Sequence, residues 1–234
     1  MIISGTRLTG GRYQTQGIVL NGLTMWLDAR DPNSYPGSGT TWADLSGNGA
    51  DQTLVGSPTY TSGTPSYFSF DGFSQYSTGT TPNVLPYNFY TKMVWFQFDT
   101  TGAANNLVSS ADGGHFMYGS GTSSLWAGNA NHPPYSVSPG AFGSMTNFST
   151  SVWYCAAVVF YSPLIYLYVN GVQDAIDITY GGTRGGDGST NLACFDTGGN
   201  LLNGKIAEVY CYARNLSAAE ILQNYNATKA RYGL

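Results

Sequence analysis

The one convincing helix signal in this chain sits at its C-terminal end, and it constrains what everything before it can be. Within Gly204–Tyr232 a strand, Lys205–Tyr212, runs into a short link. Ser217 and Glu220 then stand three residues apart ahead of an apolar run. That is a capping box, in which hydroxyl and carboxylate satisfy free amides of the first helical turn. Ile221, Tyr225 and Thr228 fall on one face at helical spacing, with Leu222 beside them, and Gly233 is placed to end the helix. Upstream the chain reads as short strands separated by turns, so the expected class is all-β with one C-terminal helix.

The turn chemistry sets the strand pairing. Asn170-Gly171 lies between Leu164–Val169 and Val172–Thr179. This dipeptide supplies the two positive φ angles of a tight hairpin, so these runs form an antiparallel pair. Lys92–Phe98 alternates Val94, Phe96 and Phe98 on one face with Met93, Trp95 and Gln97 on the other. Val152–Phe160 is a second apolar strand. Strand material also occurs in Ile18–Asp28, Tyr67–Phe70, Gln75–Ser77, Leu107–Ser109, His115–Tyr118, Ser124–Trp126 and Leu192–Phe195. Asp31–Gly56 carries Asp-Pro, Pro-Gly, Ser-Gly and Asn-Gly dipeptides and reads as a long irregular loop. Many short strands at hairpin spacing indicate a sandwich or barrel.

Composition agrees and excludes some partners. Gly accounts for 31 of 234 residues, about twice the usual share, yet aromatics reach 15%, which disordered chains lack. Only 9% of residues are charged and the net charge is −4. Sparse Lys and Arg argue against nucleic acid and anionic membranes as partners, since both need basic patches. No apolar run approaches the ~20 residues that span a bilayer, so no membrane insertion is expected. The start of the chain has no apolar signal-peptide core, which is the expectation for a protein made in a cytoplasm. Cys155, Cys194 and Cys211 are odd in number and lie in apolar strands, which fits buried thiols. No interior linker shows, so the division expected is an arm over 1–16 and one domain over 17–234, with the arm held by a neighbouring chain.

Six segments in order resemble a known family: Leu23–Ala29, Thr41–Gly49, Phe68–Gly72, Val152–Val158, Leu167–Gly171 and Gly204–Ile221. Together they look like the laminin-G-like, concanavalin-A-like jelly-roll domains, over about Ile18 to Leu234. The resemblance implies a two-sheet antiparallel jelly-roll sandwich with the C-terminal helix packed outside. The wording of Tyr35–Gly49 and of Asn224–Leu234 is similar to virion proteins of tailed bacteriophages, both capsid-decorating and tail-fibre proteins. That implies a structural virion protein, present in many copies or as a homo-oligomer. The arm would attach it to other virion proteins, and its loops would meet host surface glycans. A stand-alone carbohydrate-binding module is the alternative, and a glycoside hydrolase comes third.

Candidate chemistry is sparse. Jelly-roll glucanases use two carboxylates about 5–5.5 Å apart for a retaining mechanism, and this chain has only two glutamates, Glu208 and Glu220, the latter committed to the helix cap. Asp174 and Asp177, three apart on a strand, point to opposite faces. His115 and His132 have no recognisable nucleophile motif beside them. The reading is therefore not an enzyme, with no catalytic residues. For a metal, Asp44-Leu45-Ser46-Gly47-Asn48-Gly49 offers oxygen ligands of the kind calcium takes, or an Asx turn closed on itself. The resemblance implies a structural calcium between such a loop and the last strand, which brings in Glu208, read as sharing a strand face with Ile206 and Tyr210. The alternative for Glu208 is an ordinary ion pair or hydrogen bonds. For a glycan, Trp126, Asn129, Asn131, His132 and Tyr135 gather an aromatic platform and hydroxyl-binding groups in one loop-rich region, unless Trp126 belongs to the core. Trp26, Trp95 and Trp153 read as core.

Overall fold

Strand β17 (Asn203–Tyr212), ten residues long, is the spine of the molecule, bonded along both edges. The computed structural model describes residues 17–81, 84–86, 89–101, 105–110, 115–119, 123–129, 142–161, 164–177, 190–195 and 198–234. In chain order the strands are β1 (Leu23–Asp28), β2 (Thr41–Trp42), β3 (Gln52–Val55), β4 (Thr59–Thr61), β5 (Tyr67–Asp71), β6 (Tyr76–Gly79), β7 (Phe89–Phe98), β8 (Asn105–Asn106), β9 (Val108–Ser110), β10 (His115–Gly119), β11 (Ser124–Asn129), β12 (Phe142–Asn147), β13 (Trp153–Tyr161), β14 (Leu164–Val169), β15 (Val172–Asp177), β16 (Thr190–Leu192) and β17 (Asn203–Tyr212). Helix α1 (Ala218–Thr228) and a 3-10 turn, Lys229–Tyr232, follow.

An eight-stranded antiparallel sheet runs β15-β14-β13-β7-β17-β5-β4, and β1 joins β17 beside β5. The second layer consists of a five-stranded sheet, β2-β3-β6-β16-β9, and a four-stranded sheet, β12-β11-β10-β8, with β9 and β10 side by side. The expected two-layer antiparallel sandwich with one C-terminal helix is therefore what the chain forms. At the far edge Thr146 of β12 donates backbone and hydroxyl hydrogen bonds to Asp174 of β15, tying the two layers.

The large sheet is covered on both faces, which explains why β7 is buried from Tyr90 to Phe98. Tyr90, Val94, Phe96 and Phe98 enter the inter-sheet core with Phe68, Ile206, Val209 and Leu125. Met93 and Trp95 enter a second, outer cluster with Ala157, Tyr210, Ile221 and Tyr232. The strand begins at Phe89, earlier than its apolar run implies, and Lys92 lies wholly inside the sandwich, its ammonium donating to the Val108 carbonyl at 3.1 Å. The loop expected over Asp31–Gly56 contains β2 and β3. Asn170 and Gly171 have φ of 49° and 80° and close the β14–β15 hairpin as expected.

Helix α1 starts as the capping box requires, with Ser217 and Glu220 bonding reciprocally. Ile221, Asn224 and Thr228 are buried, whereas Leu222 is 42% exposed rather than part of the packed stripe. The 3-10 turn extends the segment, and Gly233 at φ 76° ends that turn rather than the helix. A buried polar chain holds this cap in place. Trp95 Nε1 donates to Thr228 at 2.9 Å, Asn224 donates to the Tyr212 hydroxyl at 3.0 Å, and the Val19 amide donates to Asn224 Oδ1 at 2.8 Å. Ile18 and Val19 thus belong to the cap and not to a strand. Trp95 is core as expected, but Trp26 and Trp153 are half-buried on the outer face.

Candidate functional site

Asp44 sits in a tight loop after β2. Its Oδ1 accepts from the amides of Trp26 (2.8 Å) and Ser46 (2.9 Å), and its Oδ2 from the Ser46 hydroxyl (2.6 Å) and the amides of Asn48 and Ala50 (3.2 Å each). Asn48 turns its amide nitrogen to the Leu23 carbonyl (3.0 Å) and Ser46 Oγ (2.9 Å). A carboxylate ringed by donated hydrogens already has the positive charge density a cation would bring, whereas a calcium shell needs oxygen lone pairs turned inward. The loop is the self-closed Asx turn, and Asp44 and Asn48 do not fit a calcium ion.

Glu208 belongs to a different network. The β7–β17 register shifts between Ile206 and Glu208. This bulge turns Ile206 into the inter-sheet core while Glu208 and Tyr210 share the outer face, so the expected alignment of Ile206 with Glu208 and Tyr210 does not hold. Glu208 lies directly across from Asp28. Arg231 Nη1, from the 3-10 turn, donates to Asp28 Oδ2 at 2.7 Å and to Glu208 Oε1 at 3.3 Å, and the Tyr232 hydroxyl donates to Glu208 Oε2 at 3.3 Å. The Tyr210 hydroxyl is buried beside them without good hydrogen-bond geometry to any of the described residues. Burial, reinforced by the Asp28 charge, pushes the Glu208 carboxyl up to about 8, against the pull of Arg231 and the tyrosine hydroxyls. The same burial, with Glu208 nearby, raises the Cys155 thiol, so it lacks the thiolate character of a nucleophile. All three cysteines are buried and outside any disulfide. Asp28 and Arg231, the partners that Glu208 actually uses, escape sequence reasoning because they meet only through strand pairing and the returning C-terminal turn.

The other glutamate is equally committed. Glu220 receives Arg214 at 2.6 and 3.1 Å and caps Ser217, and chiefly the Arg214 hydrogen bonds lower its carboxyl to about 2. Among the described residues no cluster of three His, Cys, Asp or Glu side chains is arranged to hold a metal ion.

Of the glycan candidates, Trp126 stands on β11 between Tyr118 of β10 and Gly143 of β12. Its neighbours Leu125 and Ala127 enter the core, so strand alternation turns Trp126 to the opposite, outer face. It is half-buried, and its Nε1 is enclosed without an acceptor among the described residues. Asn129 ends the same strand, in register with His115. Asn131, His132 and Tyr135 lie outside the described residues.

Residues 70–222 match the family model described as the concanavalin A-like lectin/glucanases superfamily. No curated protein sequence matches the chain. Domain 4 of AbnA, an extracellular arabinanase from Geobacillus stearothermophilus, in complex with arabinotriose, is a similar solved structure, with TM-score 0.65, 16% identity, and coverage of 87% of this chain and 98% of that domain. The binding domain of Paraclostridial Mosquitocidal Protein 1 has TM-score 0.69 and 13% identity over 89% of this chain and 52% of that one. Trypanosoma rangeli sialidase has TM-score 0.63 and 14% identity, covering 90% of this chain and 33% of the sialidase. The chain thus spans about half the length of the mosquitocidal-protein and botulinum-neurotoxin binding domains that it matches. At these identities the likeness is one of fold.

Proposed function

The chain belongs to the concanavalin A-like lectin/glucanases superfamily, and from that premise we propose that it is a non-enzymatic, glycan-binding structural domain displayed on a phage virion. The observation that carries the glycan part is Trp126. A half-buried indole turned away from the core offers a sugar the part of its ring face that remains exposed, a surface for stacking. The bound arabinotriose of the AbnA domain supports the same ligand class. The non-enzymatic part is supported by the commitment of both glutamates, one under Arg231 and one in the helix cap, which leaves neither free to act on a glycosidic oxygen.

The virion setting is supported by the wording of Tyr35–Gly49 and Asn224–Leu234, with residues 1–16 as the attachment to other virion proteins. On a glycan array the parent protein binds at least one oligosaccharide, and Trp126→Ala weakens that binding while melting normally. Absence of any hit removes the glycan role. A chain lacking residues 1–16 folds but no longer joins particles; full incorporation of the shortened chain would contradict the arm's role. Release of reducing ends from any polysaccharide would make it an enzyme after all.

A further inference from the structure

We propose that the outer face of the eight-stranded sheet carries a further contact surface for a neutral oligosaccharide, built by Trp153 and Tyr67 around the Lys205 ammonium. This rests on the glycan-binding reading but places sugar contact on the opposite layer from Trp126. Trp153 pairs with Gln97, Gln97 with Lys205, and Lys205 with Ser69, so one row crosses β13, β7, β17 and β5 in register. At the usual strand separation the row spans roughly 14 Å, long enough for a short oligosaccharide. The helical cap stops at its border, where Tyr232 packs on Trp153 with ring centroids 5.2 Å apart. On its other side Trp153 meets Tyr67 at 5.6 Å and 56°. Both rings are half-buried, so their bodies are held while part of each faces solvent.

The polar groups of the row are already oriented. Lys205 Nζ donates to Gln97 and to Asp99 at 3.2 Å, and it lies 5.5 Å from the centre of the Tyr67 ring. An ammonium has three hydrogens, and two have protein acceptors here, while the side chain keeps 21% exposure. A sugar needs an aromatic face for its C–H surface and both donors and acceptors for its hydroxyls, and this row supplies all three. The Lys205 charge is balanced by Asp99, so neither an anionic nor a cationic ligand is favoured over a neutral one. Rings and polar groups fixed before binding lower the ordering cost that weakens flexible sites.

The test is an array of neutral oligosaccharides, including arabinotriose and xylo- and cello-oligosaccharides. It is probed with the parent, Trp153→Ala, Tyr67→Ser and Trp126→Ala, each also followed by thermal melting. Any oligosaccharide held on this face binds roughly tenfold more weakly or worse to Tyr67→Ser and Trp153→Ala, with Trp126→Ala closer to the parent. If Trp153→Ala unfolds through its contact with Tyr232, Tyr67→Ser alone decides. Parent-level binding by a folded Tyr67→Ser variant overturns this surface, and if Trp126→Ala then loses binding the broader glycan role still stands. A parent that binds nothing overturns both.

Discussion

At the scale of single residues, Glu208 sets the most specific expectation. Its network has two carboxylates and one guanidinium, so the charges balance when one carboxyl keeps its proton, and burial followed by the Asp28 charge selects Glu208, raising its carboxyl to about 8 from an ordinary 4.5. Between those values the folded state holds a proton that the unfolded chain has released. The stabilisation is therefore complete below about pH 4.5 and is lost as pH rises through 8, on the order of a few kcal/mol. Urea unfolding at pH 5 and pH 8 should show that loss. Glu208→Gln, which stays neutral, should flatten the profile and exceed the parent at pH 8. Calcium should shift neither curve, because Asp44 is closed by amide hydrogens and Glu208 by Arg231 and Tyr232. A parent profile as flat as that of the variant would show that Glu208 ionises normally.

At the scale of elements, legibility follows the distance over which the signal acts. The start of α1 was readable because Ser217 and Glu220 bond within one turn, and the β14–β15 hairpin because Asn170 and Gly171 alone fix its geometry. The two faces of β7 were readable from alternation. The β17 bulge was not, since it arises in pairing with a strand far away in sequence, and that shift decides which face Glu208 joins. β2 and β3 were hidden because two and four residues inside a turn-rich loop carry no period. Likewise, the apolar surroundings of Trp153 read as core, because alternation cannot tell that the outer face is only partly covered by the cap. The legible cap gives its own prediction. Ser217→Ala removes the hydroxyl that accepts from the Glu220 amide and should cost about 1 kcal/mol of stability, measured by denaturant midpoint at unchanged slope. A loss near zero would mean that the Arg214–Glu220 pair alone fixes the helix start.

At the scale of the whole molecule, the sandwich is a three-layer object, and the third layer is made from the two ends of the described chain. Val19 is held by Asn224 and Tyr212 and Ile18 packs in the same outer cluster, while Arg231 and Tyr232 close over Asp28, Glu208 and Trp95, the Tyr232 ring centroid lying 3.8 Å from that of Trp95. Neither end makes a sheet, yet together they bury the outer faces of Met93, Ala157 and Tyr210. A chain ending at Leu216 would keep every strand. It would expose that apolar surface, and it would leave Asp28 and Glu208 facing each other without their guanidinium. Such a chain should retain a β-type far-UV spectrum, bind a hydrophobic dye and self-associate, since large exposed apolar patches drive association. Replacing Arg231 by Met in the full chain isolates the electrostatic part. The apolar cover stays, dye binding should stay low, and the loss of stability should be greatest at high pH, where both carboxylates carry charge. A truncated chain that remained monomeric with the parent's melting temperature would mean that the two sheet layers suffice, and that the C-terminal segment is an appendage instead of a wall of the fold.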